Sequence, residues 1–291
     1  YVKVSTELSF LVPEILSLDE TVLGNYLKEN NELQVYKQML EEINKERPHV
    51  LPKEQEALLA QFSEVTGASA DTFGKLNNAD LEFPFIKDEN GNEVQLTHGR
   101  YSRFLESEDR RVREDAFKGM YETYGKFKNT FASTLSGNIK ADNVNAKIRN
   151  YSSAREAALS ANHIPESVYD NLVETVNKNV HLLHRYVSLR KKVLGVDELH
   201  MYDLYTPLVK ELKMEYTYDE ACAVMLESFK PLGEEYVSIV KKGLESRWVD
   251  VVETKGKRSG AYSSGTYGTN PYILMNWQDN VNNLFTLTHE F

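Results

Sequence analysis

Apolar residues recur at intervals of three and four along most of the chain. That is the spacing of one helical face, and it predicts a mainly α protein. Over residues 19–46, Leu33, Tyr36, Leu40 and Ile43 mark such a face behind a capping Asp19, predicting one helix or a broken pair. Leu58, Leu59, Phe62 and Val65 mark a second, with Gly67 as its stop. Val112, Ala116, Met120, Tyr124, Phe127, Phe131 and Leu135 carry one face through a long helix. Ser107 is its expected cap, and Glu108 and Asp109 fall in the first turn, where the helix dipole favours acids. Pro165 and Gly195 bracket a further helix with a seam of Val173, Val176, Val180, Leu183, Val187 and Leu194. Thr217 and Glu220 match a capping box for the next, which Pro231 breaks or kinks.

Two stretches interrupt this periodicity. Leu81–Ile86 and Val94–Leu96, separated by Asp88-Glu89-Asn90-Gly91, read as two strands joined by an Asn-Gly turn, with Pro84 confining the first to an edge or interrupting it. From about residue 247 the texture changes again. Trp248–Val252 and Tyr272–Met275 read as strands, and residues 256–268 between them hold four glycines among tyrosines and serines. Helix signals resume at Asp279 or Asn280 and run through Leu284, Leu287 and Phe291, with His289 off that stripe.

Composition narrows the function classes. A chain of 291 residues can bury a substantial core in one or two domains, and its 41% hydrophobic content is ordinary for a globular protein. No run approaches the roughly 18 apolar residues of a membrane span. A net charge of −10 argues against nucleic acid as a partner. Lys255, Lys257 and Arg258 form a small basic patch, expected to be solvated. A phosphate-loop reading of residues 256–260 fails, because Val251 stands where glycine is required and Arg258 where Ser or Thr is required. Cys222 is the sole cysteine, so no internal disulfide forms, which fits a reducing cytoplasm; its apolar neighbours suggest a buried small hydrophobe. Without a secretory leader, the Asn150-Tyr151-Ser152 sequon reads as chance.

The sharpest chemical signal is His289-Glu290. In the signature H-E-x-x-H, two histidines one turn apart reach one Zn²⁺ from one helix face while the glutamate serves as general base. The second histidine would be residue 293, two beyond Phe291. Together with a first residue that is not Met, this leads us to expect a chain cut at both ends, holding one ligand and the base. His181 and His184 also stand at ligand spacing, but no acidic or cysteine partner is recognisable beside them.

Three linked segments then resemble a known family. They are Lys257-Arg258-Ser259-Gly260-Ala261-Tyr262-Ser263, Pro271-Tyr272-Ile273-Leu274-Met275-Asn276-Trp277 and Leu284-Phe285-Thr286-Leu287-Thr288-His289-Glu290-Phe291, supported by Leu96–Tyr101 and Leu105–Arg110. The chain resembles oligoendopeptidase F, of the thimet-oligopeptidase-like M3 zinc metallopeptidases. The resemblance implies a multi-helix peptidase fold around a deep channel that admits short unstructured peptides, with a small β-sheet near the active-site helix. It implies an N-terminal helical oligopeptidase F-type domain over 1–75 and the first part of an incomplete catalytic domain over 76–291. It also implies a cytoplasmic zinc enzyme, with His289 as a metal ligand and Glu290 as the general base. Gly260, Ala261, Tyr262 and Ser263 are expected to form an edge strand that docks substrate through its backbone. By this resemblance the remaining zinc ligands lie beyond Phe291, so the chain by itself is expected to be inactive. The apolar surface left open is expected to pair with the missing portion or to self-associate. Two other readings remain: a non-catalytic helical peptide-binding module, and a related helical zinc carboxypeptidase.

Overall fold

A computed structural model describes residues 2–209 and 214–291. The helices in chain order are α1 (Val2–Leu8), α2 (Leu11–Ser17), α3 (Glu20–Glu29), α4 (Lys37–Lys45), α5 (Lys53–Lys75), α6 (His98–Leu105), α7 (Arg110–Lys126), α8 (Lys128–Ile148), α9 (Ala154–Ser160), α10 (Glu166–Leu194), α11 (Tyr218–Ser228), α12 (Glu234–Glu245) and α13 (Val281–Glu290). The strands are β1 (Phe85–Lys87), β2 (Glu93–Gln95), β3 (Val249–Asp250), β4 (Tyr262–Ser264) and β5 (Tyr272–Leu274). The chain divides into two compact units, residues 1–73 with 129–180 and residues 74–128 with 181–291.

In the first unit Asp19 caps α3 by accepting from the Thr21 N–H at 2.8 Å. A 3₁₀ stretch, Asn31–Tyr36, separates α3 from α4, so residues 19–46 form the broken pair rather than one helix. The expected stop at Gly67 does not occur: α5 runs through it to Lys75, because Gly67 keeps a negative φ and a mid-helix glycine costs only about 1 kcal/mol. Arg149 grips Glu56 with two hydrogen bonds of 2.7 and 2.8 Å, and the His49 and Tyr151 rings stack at 3.6 Å, tying the end of α8 to the start of α5.

In the second unit β1 and β2 form the expected hairpin, with Gly91 at φ +83° in its turn. The first strand begins only after Pro84, which has no N–H to give a ladder. Asp109, not Ser107, caps α7; the Ser107 hydroxyl instead accepts from the Asp109 N–H. The single long helix expected beyond it is two, broken at Phe127, and its face does not continue: Val112, Ala116 and Met120 are buried while Leu135 is 63% exposed. Thr217 and Glu220 form the expected capping box on α11, and Pro231 sits in the break before α12. Asp203, fully buried, accepts from Arg110 at 3.0 and 3.2 Å and from Arg113 at 2.9 Å. Arg190 completes this knot from α10 by donating to the Asp203 and Thr206 carbonyls.

Pro165 and Gly195 bracket α10 as expected, with Gly195 at φ +65°. Its seam is not buried, however. Val173, Val176, Val180 and Leu183 are 40–58% exposed, and Arg190 is its sole buried side chain among the described residues. The periodicity correctly marks an apolar face, but among the described residues that face is only partly covered, with Val187 and Leu194 half-buried.

Candidate active site

The site is built on α13 and the three-stranded sheet beside it. Asn280 caps α13 by accepting from the Asn283 N–H at 2.8 Å, and the Asn283 side chain accepts in return from the Gln278 N–H at 2.6 Å. Asp279, at φ +50°, is held in its turn by the Trp277 indole at 2.8 Å. Leu284 and Leu287 are buried, and Leu287 packs among Met225, Phe229, Val240, Ile273 and Met275. The Tyr236 hydroxyl donates to the Phe291 carbonyl at 2.7 Å. Gly243 lets α12 pass this closely: a Cβ there would lie 2.7 Å from the Trp248 ring and 3.1 Å from that of Phe291. These contacts turn the opposite face outward, leaving His289 exposed and Glu290 half-buried on the last turn.

The sheet order is β3-β5-β4, parallel between β3 and β5 and antiparallel between β5 and β4, so β4 is an edge. Tyr262 and Ser263 lie in it, and Gly260 and Ala261 lead into it. Gly260 adopts φ +87°, and the Asn276 side chain donates to the Arg258 and Gly260 carbonyls at 3.0 and 2.8 Å, fixing the approach. The expectation of a solvated basic patch holds for Lys255 and Arg258 but not for Lys257. That side chain is 6% exposed, folded back onto the Asp250 and Val252 carbonyls and paired with the Asp250 carboxylate at 3.1 Å.

A cleft of about 660 Å³ opens between α6, α7, the chain after β5, and α13. Gly260, Ala261 and Asn276 line one side, and Asn282 and Thr286 of α13 another. Thr286 lies one turn before Glu290. Tyr262, Ser263, His289 and Glu290 are not among the lining residues, so the cleft borders the expected site without containing its chemical groups. One wall is bolted by Glu253, which accepts from the Thr97 hydroxyl at 3.1 Å, the Gly99 N–H at 3.2 Å and the Gln278 side chain at 2.9 Å. Gly99 must be small there, since a Cβ would sit 2.7 Å from Gln278.

The cleft shifts the acidity of its own groups. Burial, then the neighbouring Tyr121, pushes the Tyr101 phenol up to about 12. Burial raises the Glu106 carboxyl despite a hydrogen bond from Asn282. Burial also lowers His98, whose Nε2 sits 2.8 Å from the Tyr124 hydroxyl. Sequence reading missed Glu106, Glu253 and Asn276; each is a single polar residue whose partners lie 16 or more positions away, so no local motif marks it.

The His-Glu pair implies a zinc ion. His289 offers one accessible imidazole, whereas a catalytic zinc takes three protein donors. Among the described residues no three His, Cys, Asp or Glu side chains converge, His181 and His184 included.

Comparison with known proteins places the chain in a family. The family model "Peptidase family M3" matches residues 103–291, and the model "Oligopeptidase F" matches residues 14–83. The chain is 62% identical to oligopeptidase PepF of Bacillus subtilis over 291 residues, covering all of this chain and 43% of that protein. It is 49% identical to group B oligopeptidase PepB of Streptococcus agalactiae, covering all of this chain and 48% of that one. The crystal structure of oligoendopeptidase-F from Enterococcus faecium superposes with a TM-score of 0.70 at 55% identity, over 84% of this chain and 46% of that one. The chain spans less than half the length of the curated relatives it matches. With the M3 model matched over about two thirds of its residues, a mainly helical fold shared with oligoendopeptidase-F, and a His-Glu pair on the outer face of α13, the chain belongs to peptidase family M3, with N-terminal residues of oligopeptidase F type.

Proposed function

We propose that this chain is part of a cytoplasmic zinc-dependent endopeptidase that cleaves short, unstructured peptides. The observation that carries the reading is α13 itself. Its apolar stripe is locked into the core against β5 and the residue after it, and its last turn holds His289 exposed and Glu290 half-buried, off that stripe. His289 is one of the zinc ligands in this reading. Zinc, when bound, supplies a water of lowered pKa and polarises the scissile carbonyl. Glu290 takes the proton of the attacking water and returns it to the leaving amine. The free edge of β4 holds the peptide through backbone hydrogen bonds, so binding tolerates many sequences. In this reading 1–75 is a helical domain preceding the first part of the catalytic domain in 76–291.

The test is Glu290→Gln in the full-length enzyme, which is expected to lower cleavage of a quenched-fluorescence peptide by at least about a hundredfold while zinc content stays at wild-type level. Near-wild-type turnover by that variant overturns the assignment. Product analysis by mass spectrometry checks the endopeptidase part: internal cuts are expected, whereas stepwise trimming from the C-terminus would assign a carboxypeptidase.

A further inference from the structure

We propose that Glu106 is a cation-recognising subsite of the cleft, holding an ammonium or guanidinium group carried by the bound peptide; this rests on the peptidase reading above. The cleft is otherwise built of neutral groups. Among the described residues Glu106 is the sole carboxylate lining it, and no Lys or Arg does. Its Oε1 accepts from Asn282 Nδ2 at 2.5 Å, and the other oxygen receives no donor among the described residues. The side chain is half-buried, so the carboxylate has lost water on one side and gained a single neutral donor in return. Burial correspondingly raises its pKa. A cation entering the cleft would restore what burial removes, through a charge-assisted hydrogen bond to the free oxygen. Tyr101 and Tyr205 line the same cleft, and Tyr205 is 66% exposed.

Glu253 shows what a purely structural carboxylate looks like in this wall. It has three donors, from Thr97, Gly99 and Gln278, and does not line the cleft. With one donor against three, Glu106 has far more acceptor capacity to spare than Glu253.

The position along α13 sets the register. Asn282, which holds Glu106, lies seven residues before His289, almost two full turns, so both project from nearly the same face about 10 Å apart. An extended peptide advances about 3.3 Å per residue, which puts the recognised cation roughly two to four residues from the scissile bond.

The experiment uses the full-length protein carrying Glu290→Gln, so that bound peptide is not cut. Affinities are measured calorimetrically for a neutral peptide in which one lysine is walked along the sequence, each paired with its acetyl-lysine counterpart. At one position lysine is expected to bind about tenfold tighter, with the preference fading as salt is raised. Adding Glu106→Gln is expected to bring that ratio close to one, and Glu106→Asp to keep part of it. If acetylating the peptide N-terminus removes the preference instead, the recognised cation is the terminal amine. Equal binding of all pairs, a preference that survives Glu106→Gln, or no binding at all overturns the proposal. Cleavage by the unsubstituted enzyme is scored separately: a lysine preference without any cleavage would sink the peptidase reading while leaving the subsite in place.

Discussion

Three arginines close around Asp203, and the balance of forces on that one carboxylate has a consequence in acid. Burial pushes its pKa up, but hydrogen bonds from Arg110, the His200 N–H and Arg113 outweigh burial and hold it down at about 2. A group whose folded pKa is depressed stabilises the fold above its unfolded pKa, near 3.8, and loses that contribution as pH falls toward 2. The thermal midpoint is therefore expected to drop between pH 4 and pH 2.5, and to drop less steeply in Asp203→Asn. Asp203→Ala leaves Arg113, itself 3% exposed, without its charge partner, and should cost about 3 kcal/mol or more in chemical denaturation. Equal pH slopes for wild type and Asp203→Asn would contradict this account. At the same scale, the outward placement of His289 was legible in the sequence, because it followed from the spacing of Leu284 and Leu287. Glu106 was not, because its donor Asn282 is 176 positions away. Lys257 misled for the same reason: only the folded sheet brings its ammonium onto the Asp250 and Val252 carbonyls.

Helix starts were legible at Asp19 and Thr217, whose side chains cap the backbone within three residues. Asn280, which caps α13, was one of two positions the sequence offered for its start, and the cap of α7 fell on Asp109 rather than Ser107. Helix ends and breaks were less so. Gly67 is a stop only if the backbone turns to positive φ, which tertiary context decides; Gly195 does turn and Gly67 does not. The break at Phe127 carries no glycine or proline to announce it. Among these caps, Asn280 matters most to the site, since it fixes where α13 begins and hence where His289 and Glu290 fall. Asn280→Ala removes the acceptor for the Asn283 N–H and is expected to cost about 1 kcal/mol. A matching fall in denaturant midpoint with an unchanged m-value would support that; no change would mean the Gln278–Asn283 contact alone holds the turn.

At the scale of the whole chain, donor count and exposed apolar surface point the same way. With one imidazole where a catalytic zinc takes three protein donors, the 291-residue chain by itself is expected to retain well under one equivalent of zinc through dialysis, read by atomic absorption. Stoichiometric retention would show that ligands assemble from elsewhere, for instance from a second copy. The partly covered face of α10, with Leu172 at 60% and Val176 at 58% exposure, predicts concentration-dependent association in sedimentation velocity.

The division into two units has a further consequence, for the order in which the chain can acquire its structure during synthesis. Residues 1–73 leave the ribosome before 129–180, the segment they pack with, and 74–128 wait in turn for residues beyond 181. The salt bridge between Glu56 and Arg149 cannot form until 93 further residues have been made, nor the knot of Arg113 on Asp203 until 90 have. Neither unit is a contiguous stretch that can finish early, so each nascent half holds apolar helix faces open while the other is being translated. At about 5–20 residues per second that interval lasts several seconds, long enough for a chaperone to engage the chain.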